Sequence, residues 1–263
     1  MKYLKIKSIV GSPDFGGCKP VFVIAEDNKE YLLKFRDDGN EKDMTIFSEY
    51  LAYSIIDLFN ININTPKINF LIIENEDIEL FENAFENKLI NYESLEFAKK
   101  SIGTNLGILK IENPLQIEHV ENNIFFKNLK NMDNFILNND RTKGNSNILK
   151  SKKDGKLYAI DFGWAFASHR IYENIDDIDK LEDIILTSER SIFDCNITLN
   201  KDYLLKIVEH NKSLKLKYDK LSLEFPYDWE IEENDINKLI SIVLYRMKND
   251  YIWNKKDCEN DMG

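Results

Sequence analysis

The first third of the chain reads as strands, and its opening, MKYLKIKSIV, alternates Lys with apolar residues, the repeat of a half-buried strand. YLKIKSIV (3 to 10), PVFVIAED (20 to 27) and EYLLKF (30 to 35) are rich in β-branched and aromatic residues. The polar turn Asp27-Asn28-Lys29 joins the last two, so an antiparallel meander is predicted. At Glu41 the period changes. EKDMTIFSEYLAYSIIDLF opens with acidic residues, contains no Gly or Pro, and repeats its apolar positions at helical spacing as far as about Phe59. Pro66 then leads into INFLII (68 to 73), a fourth strand. From about 77 to 116 the pattern weakens and supports one helix near Tyr92 to Lys100. Ile117 to Leu137 is helical in pattern, and from about Ile175 the remainder reads as mainly helical. Strands first and helices after give an α+β class: a sheet with one helix over residues 1–85, then a mainly helical lobe over 86–263.

Between the apolar run that ends at Leu137 and a short aliphatic strand lies NNDRTKGNSNILK (138 to 150), which crowds Asp140, Asn145 and Asn147 among small polar residues. A turn needs one or two such groups, whereas this segment offers a carboxylate and two amides, each able to present oxygen to a cation. It is an ordinary polar loop or it holds a metal. Downstream, Asp154-Gly155 signals a two-residue hairpin turn between strands Ile148 to Ser151 and Leu157 to Ile160. Counting outward from that turn places Asp161 opposite Ile148, beside Asn147 and close to Asn145. Asp161 and Asn145 are hard oxygen donors suited to Mg²⁺, which takes one or two carboxylates together with water and substrate phosphates. Asp140 stands at the other end of the loop, where it could orient a hydroxyl and accept its proton. Taken singly, each piece is more simply structural, because Asp-Phe-Gly occurs by chance and Asn is abundant in this chain. Their combination carries the argument.

Two further constellations fit phosphate handling. Lys34 shares a strand face with Leu32, opposite Tyr31, Leu33 and Phe35, and Glu49 falls among Ile46, Ala52, Tyr53 and Ile56 on an otherwise apolar helix face. A buried carboxylate wants a cation, and Lys34 in the preceding strand is the natural partner; the pair would fix the ammonium where it can hold nucleotide phosphates. GSPDFGGCKP (11 to 20) carries Gly11, Gly16, Gly17 and Ser12 and is either a phosphate-cradling loop or a plain strand connection.

Composition narrows the partners. The 263 residues carry a formal net charge of −11, which disfavours a broad electrostatic hold on nucleic acid or on an anionic membrane surface. Three widely spaced cysteines without a CxxC pair fit free thiols in a reducing, cytoplasmic compartment. Neither a signal peptide nor an apolar run long enough to span a membrane is evident.

Read in order, YLLKF, FSEYLAYSIIDLFNININTP, NNDRTKGNSNILK and AIDFG resemble the protein-kinase-like fold, and within it the HipA-like bacterial kinases, over roughly residues 5 to 170. The resemblance implies a two-lobed fold using ATP and Mg²⁺. Lys34 and Glu49 would sit at the nucleotide, Asp140 would be catalytic base, and Asn145 and Asp161 metal ligands. It also implies a protein Ser or Thr acceptor and autophosphorylation in the phosphate-loop region, with Ser12 as the candidate. Asn138-Asn139 stand where eukaryotic-type kinases carry His-Arg, no Ala-Pro-Glu follows Asp161, and the His-Gly-Asp of aminoglycoside-type phosphotransferases is absent. The chain starts almost at the kinase sheet, so pairing with a DNA-binding antitoxin does not carry over, and no regulator is identifiable. A small-molecule or lipid phosphotransferase, or a nucleotide-binding pseudokinase acting as an interaction module, are the alternatives.

Other residues attract less. Arg141 could touch phosphate, though a structural pair with a nearby carboxylate suits it better. Trp164 and Phe166 read as core packing beneath the site. His119, His169 and His210 lack metal-ligand spacing, and the acidic run at 173 to 183 reads as a helix start with a solvated face.

Overall fold

The computed structural model describes residues 1–13, 19–36, 45–58, 60–121, 123–138, 140–142, 144–167, 193, 225–229 and 231. The chain divides into two compact units. One comprises Met1–Ile46, Pro66–Glu112 and Pro226–Glu230; the other comprises Phe47–Thr65, Asn113–Phe225 and Ile231–Gly263.

Four strands of the first unit fall where the sequence predicts them: β1 (Tyr3–Gly11), β2 (Val21–Ala25), β3 (Glu30–Lys34) and β4 (Ile68–Ile73). In β2 and β3 every second side chain is buried, and Tyr31, Leu33 and Phe35 point away from the half-buried Leu32 and Lys34. The helix expected between β3 and β4 is α1 (Thr45–Leu58), most of which belongs to the second unit. Two elements of the first unit were not foreseen, α2 (Ile78–Glu86) and β5 (Gly103–Leu109), while α3 (Tyr92–Lys100) lies where its spacing predicts. Strand β5 is inserted between β3 and β4, antiparallel to both. Gly107 is required at this crossing, because a Cβ there would come within 2.6 Å of Leu71 Cγ.

This arrangement corrects the expected architecture. The N-terminal sheet is not an open antiparallel one, because Tyr3, Leu4 and Lys5 of β1 run parallel to Phe70, Leu71 and Ile72 of β4 and close the five strands into a barrel in the order β1-β2-β3-β5-β4. Closure leaves no sheet edge to protect. Two helices, not one, accompany the barrel: Phe81 and Ala84 of α2, with Leu95 and Ala98 of α3, share a core with Leu4, Val23, Leu33 and Leu71. Nor do the described residues of the second unit form a mainly helical lobe. They hold α1, α4 (Ile124–Phe135) and a three-stranded sheet of β6 (Pro114–Gln116), β7 (Ile148–Ser151) and β8 (Leu157–Ala159). The expected two-lobed protein-kinase-like form is therefore replaced by a closed barrel, four described helices and a minor second sheet. The helices expected from about Ile175, and the acidic run at 173 to 183, lie outside the described residues.

The helical pattern from Ile117 to Leu137 is realised only from Ile124. Ile117 instead follows β6 directly and donates its N–H to the Ile148 carbonyl at 3.0 Å. Asn123 starts the helix by accepting from Phe126 N at 3.2 Å. A late segment also returns to the first unit: Asp228 accepts from Thr104 N at 2.6 Å and from Arg36 Nη1, while Trp229 Nε1 donates to Thr104 O at 2.7 Å and its ring meets Phe70 edge-on.

Candidate active site

The polar loop that begins at Asn138 follows the end of α4. Leu137, buried and at φ 57, turns the chain out of the helix, and Asn138 braces the turn by donating its backbone N–H to Asp133 O and its Nδ2 to Asp133 Oδ1, both at 2.8 Å. Asn138 Oδ1 in turn accepts from Asp140 N at 3.5 Å. Beyond Asp140, Thr142 and Asn145 exchange backbone hydrogen bonds of 2.9 and 3.1 Å, closing the loop on itself.

Asp140 is thereby presented at the loop's start with its carboxylate oriented by two amides. Asn147 Nδ2 donates to Oδ2 at 2.9 Å and Asn145 Nδ2 to the same oxygen at 3.4 Å. An ionised carboxylate only accepts, so these donors fix its direction without consuming its capacity to take a proton. Asn147, to which sequence reasoning assigned no firm role, is the better placed donor of the two. It sits at φ 50, a left-handed conformation that Asn tolerates more readily than most residues.

The hairpin delivers Asp161, with a different register from the one counted. Ile148 pairs with Ala159, Leu149 with Tyr158 and Lys150 with Leu157, so Ile148 does not face Asp161. Instead of a two-residue turn the chain makes a four-residue loop, 152 to 155: Gly155 N donates to Ser151 O and Ser151 N to Lys156 O, both at 2.9 Å. Ser151 Oγ stabilises the longer loop by accepting from Lys153 N and Asp154 N, and Gly155 supplies the left-handed residue at φ 70. A shift of two residues leaves every side chain on its original face. Ile160 N donates to Asn147 O at 3.0 Å, so Asp161 still emerges next to the residue paired with Asn147. Asp161 itself lies at φ 55 and Phe166 at φ 61, with Phe166 N donating to Ile136 O. Non-glycine residues held in this region cost about 1–3 kcal/mol each, and such strain concentrates at functional sites.

Arg141 is engaged in structure through Nε, Nη1 and its guanidinium face. Its Nε donates to Asp133 Oδ2 at 2.7 Å, its Nη1 to Asn147 O at 2.6 Å and Ile160 O at 3.0 Å, and its guanidinium lies 4.6 Å over the Phe162 ring. Burial pushes the Asp133 carboxyl up to about 6, against the pull of Arg141 and Asn138, and the charge of Asp140 adds a smaller upward push. Asp133 is the residue that sequence reasoning missed. It stands four residues after Leu129 and seven after Phe126, a carboxylate on an apolar helix face, the same signal that singled out Glu49.

The remaining candidates are distributed between the units. Lys34 is half-buried on β3 of the first, and Glu49 is 1% exposed in α1 of the second. Gly11 ends β1 at φ 155, and Ser12 donates its N–H to Leu89 O at 3.0 Å, so that amide is spent within the fold. Gly16 and Gly17 lie outside the described residues. Trp164 corrects the expectation of core packing: it is 45% exposed, because the turn at Gly163-Trp164 places the indole at the surface while Phe162 and Phe166 stay buried.

Oxygen chemistry around Asp140 suits Mg²⁺. Asn145 is exposed and turns its amide nitrogen to Asp140, which leaves its carbonyl oxygen as a donor, and Asp161 is a partly exposed carboxylate. Among the described residues no group of three or more His, Cys, Asp or Glu forms a dedicated metal cage, and Mg²⁺ does not need one. The residues present fit the ion.

A polar loop that orients a carboxylate, tied to a hairpin that delivers a second one, defines a candidate phosphoryl-transfer site. The chain belongs to the HipA-like kinase family, whose model matches residues 6–256. The match extends well past the motifs, which end near residue 170. Kinase function in general follows from that membership, as does use of ATP and a divalent metal in general. No curated protein matches the chain. No solved structure matches it. Among the described residues, no helix is long and apolar enough to cross a membrane.

Proposed function

We propose that this chain is an ATP- and Mg²⁺-dependent kinase that transfers the γ-phosphoryl group to a Ser or Thr hydroxyl of a protein. The orientation of Asp140 by Asn147 and Asn145 carries the reading, since a hydroxyl needs a directed base and little other covalent work falls to the enzyme. Asp140 accepts the hydroxyl proton as the acceptor oxygen bonds to the γ-phosphorus. The bond from that phosphorus to the bridging oxygen breaks, and ADP departs with the electron pair. Bound Mg²⁺, with Asn145 and Asp161 as ligands, would neutralise phosphate charge. Lys34 and Glu49 belong to the nucleotide. A cytoplasmic setting agrees with three widely spaced cysteines that include no CxxC pair.

Steady-state turnover of Asp140→Ala tests the assignment. Loss of the base lowers kcat by about 10²–10⁴-fold while ATP affinity stays near that of the wild type. Undiminished turnover in this variant would remove Asp140 from the mechanism. Turnover with sugars or lipids but with no protein acceptor would move the reading to the small-molecule alternative.

A further inference from the structure

One buried ion pair near Asp140 takes no part in the chemistry just described. Arg141 reaches Asp133 through Nε, the carbonyls of Asn147 and Ile160 through Nη1, and the face of Phe162. Its Nη2 finds no acceptor among the described residues. Asp133 spends its other oxygen on Asn138, which in turn receives the Asp140 amide. The residues gripped are not scattered. Asn147 enters β7, Ile160 leaves β8, Phe162 follows Asp161, and Asn138 precedes the base by two.

Stability alone is a poor explanation for this pair, because well-packed apolar residues in place of a buried ion pair are often as stable or more so. What apolar residues cannot do is fix two backbone carbonyls and a carboxylate at once. A planar guanidinium presents its donors in a rigid fork suited to that task, and a lysine ammonium does not. We propose that Arg141 and Asp133 are positioning residues for phosphoryl transfer, a buried clamp that holds the Asp140 loop and the Ile160–Phe162 segment in one register. The catalytic half of this inference rests on the kinase reading above; the clamp itself does not.

Amide hydrogen exchange and steady-state kinetics on the full chain separate the two. In Arg141→Lys, the amides of Thr142, Asn145 and Ile160, whose acceptors lie within the clamped segments, exchange at least about tenfold faster, whereas Phe70 and Leu109 in the barrel keep their wild-type rates. Turnover falls about 10–100-fold with KM for ATP within about threefold, since misplacing groups by an ångström is enough to cost that much. Should the single variant fail to fold, the paired change Asp133→Leu with Arg141→Met retains apolar packing and is read in the same way. Wild-type exchange at all three amides overturns the clamp. Faster exchange with wild-type kcat overturns the positioning role. A wild-type protein that never turns over ATP overturns the kinase reading and the catalytic half with it, while the exchange rates still decide the clamp.

Discussion

In the barrel most buried side chains are apolar, among them Leu4, Val21, Val23, Leu33 and Leu71, with Thr104 and Asn105 of β5 as polar exceptions, whereas around Asp140 the buried positions include Asp133, Asn138, Arg141, Ser146 and Asn147. Each large apolar side chain removed from water stabilises by about 1.5–3 kcal/mol and tolerates small shifts of its neighbours. A net hydrogen bond is worth about 0.5–1.5 kcal/mol, and it is lost if the partner moves by an ångström. The backbone divides in the same way. Left-handed non-glycine residues described in the first unit, Lys19, Asn28 and Lys88, stand in connections, while Leu137, Asn147, Asp161 and Phe166 stand within the segments that carry the site. The barrel secures the fold with interactions that forgive displacement; the Asp140 region spends stability on interactions that do not.

The sharpest way to break that comparison is to remove one half of the buried pair. Arg141→Met leaves the Asp133 carboxylate without its cation and is expected to cost about 3–5 kcal/mol in urea denaturation. Adding Asp133→Leu should recover part of that loss, because the uncompensated charge goes with it. A double variant as unstable as the sum of the two singles would mean that the polar interior contributes stability in the ordinary way, and the contrast with the barrel would fail.

A smaller effect follows from titration of the same carboxylate. The folded protein raises Asp133 from 3.8 to about 6. Between those values the native state binds the proton and the unfolded state has released it, so this group's contribution makes the fold less stable as pH rises from about 4 to about 6. Above about 6 the cost is fully present and constant. Denaturation midpoints of wild type and Asp133→Asn, compared at pH 4.5 and pH 7, should show the wild type losing stability relative to the variant over that interval. Parallel pH profiles would contradict the assignment.

The same contrast explains what the sequence made legible. The alternation of Lys with apolar residues in β1, the β-branched and aromatic content of β2 and β3 and the apolar run after Pro66 exposed the first four strands, and helical spacing exposed α1 and α3. Strand β5 hid because nearly all of GTNLGIL is buried, so no alternation survives, and its two glycines read as loop. Barrel closure hid because the parallel pairing of Tyr3–Lys5 with Phe70–Ile72 spans more than sixty residues and leaves no local trace. At the site, residue types gave away Asp140, Asn145 and Asp161 as a set, but not how the set is held. The hairpin count missed the hydroxyl of Ser151, which favours a loop of four over a turn of two. Asp133 carries the same signal in α4 that Glu49 carries in α1, a carboxylate on an apolar helix face.

The smallest predicted effect sits on the barrel side, at the end of α2. Lys88 N donates to Phe85 O and Leu89 N to Ala84 O, both at 2.9 Å, the paired bonds of a helix ending in a left-handed residue. That residue is an exposed lysine at φ 59 where glycine is the usual occupant. Relief of the left-handed backbone is worth about 1–2 kcal/mol, and the extra freedom of glycine in the unfolded chain returns about 0.5–1 of it. Lys88→Gly should therefore stabilise by about 0.5–1 kcal/mol in thermal denaturation and leave turnover alone. Asn147→Gly offers a smaller backbone relief, because Asn tolerates the left-handed region, and deletes the 2.9 Å donor to Asp140, so any gain in stability there comes with slower turnover. Equal behaviour of the two variants would show that left-handed residues near Asp140 are incidental, as they are at the end of α2.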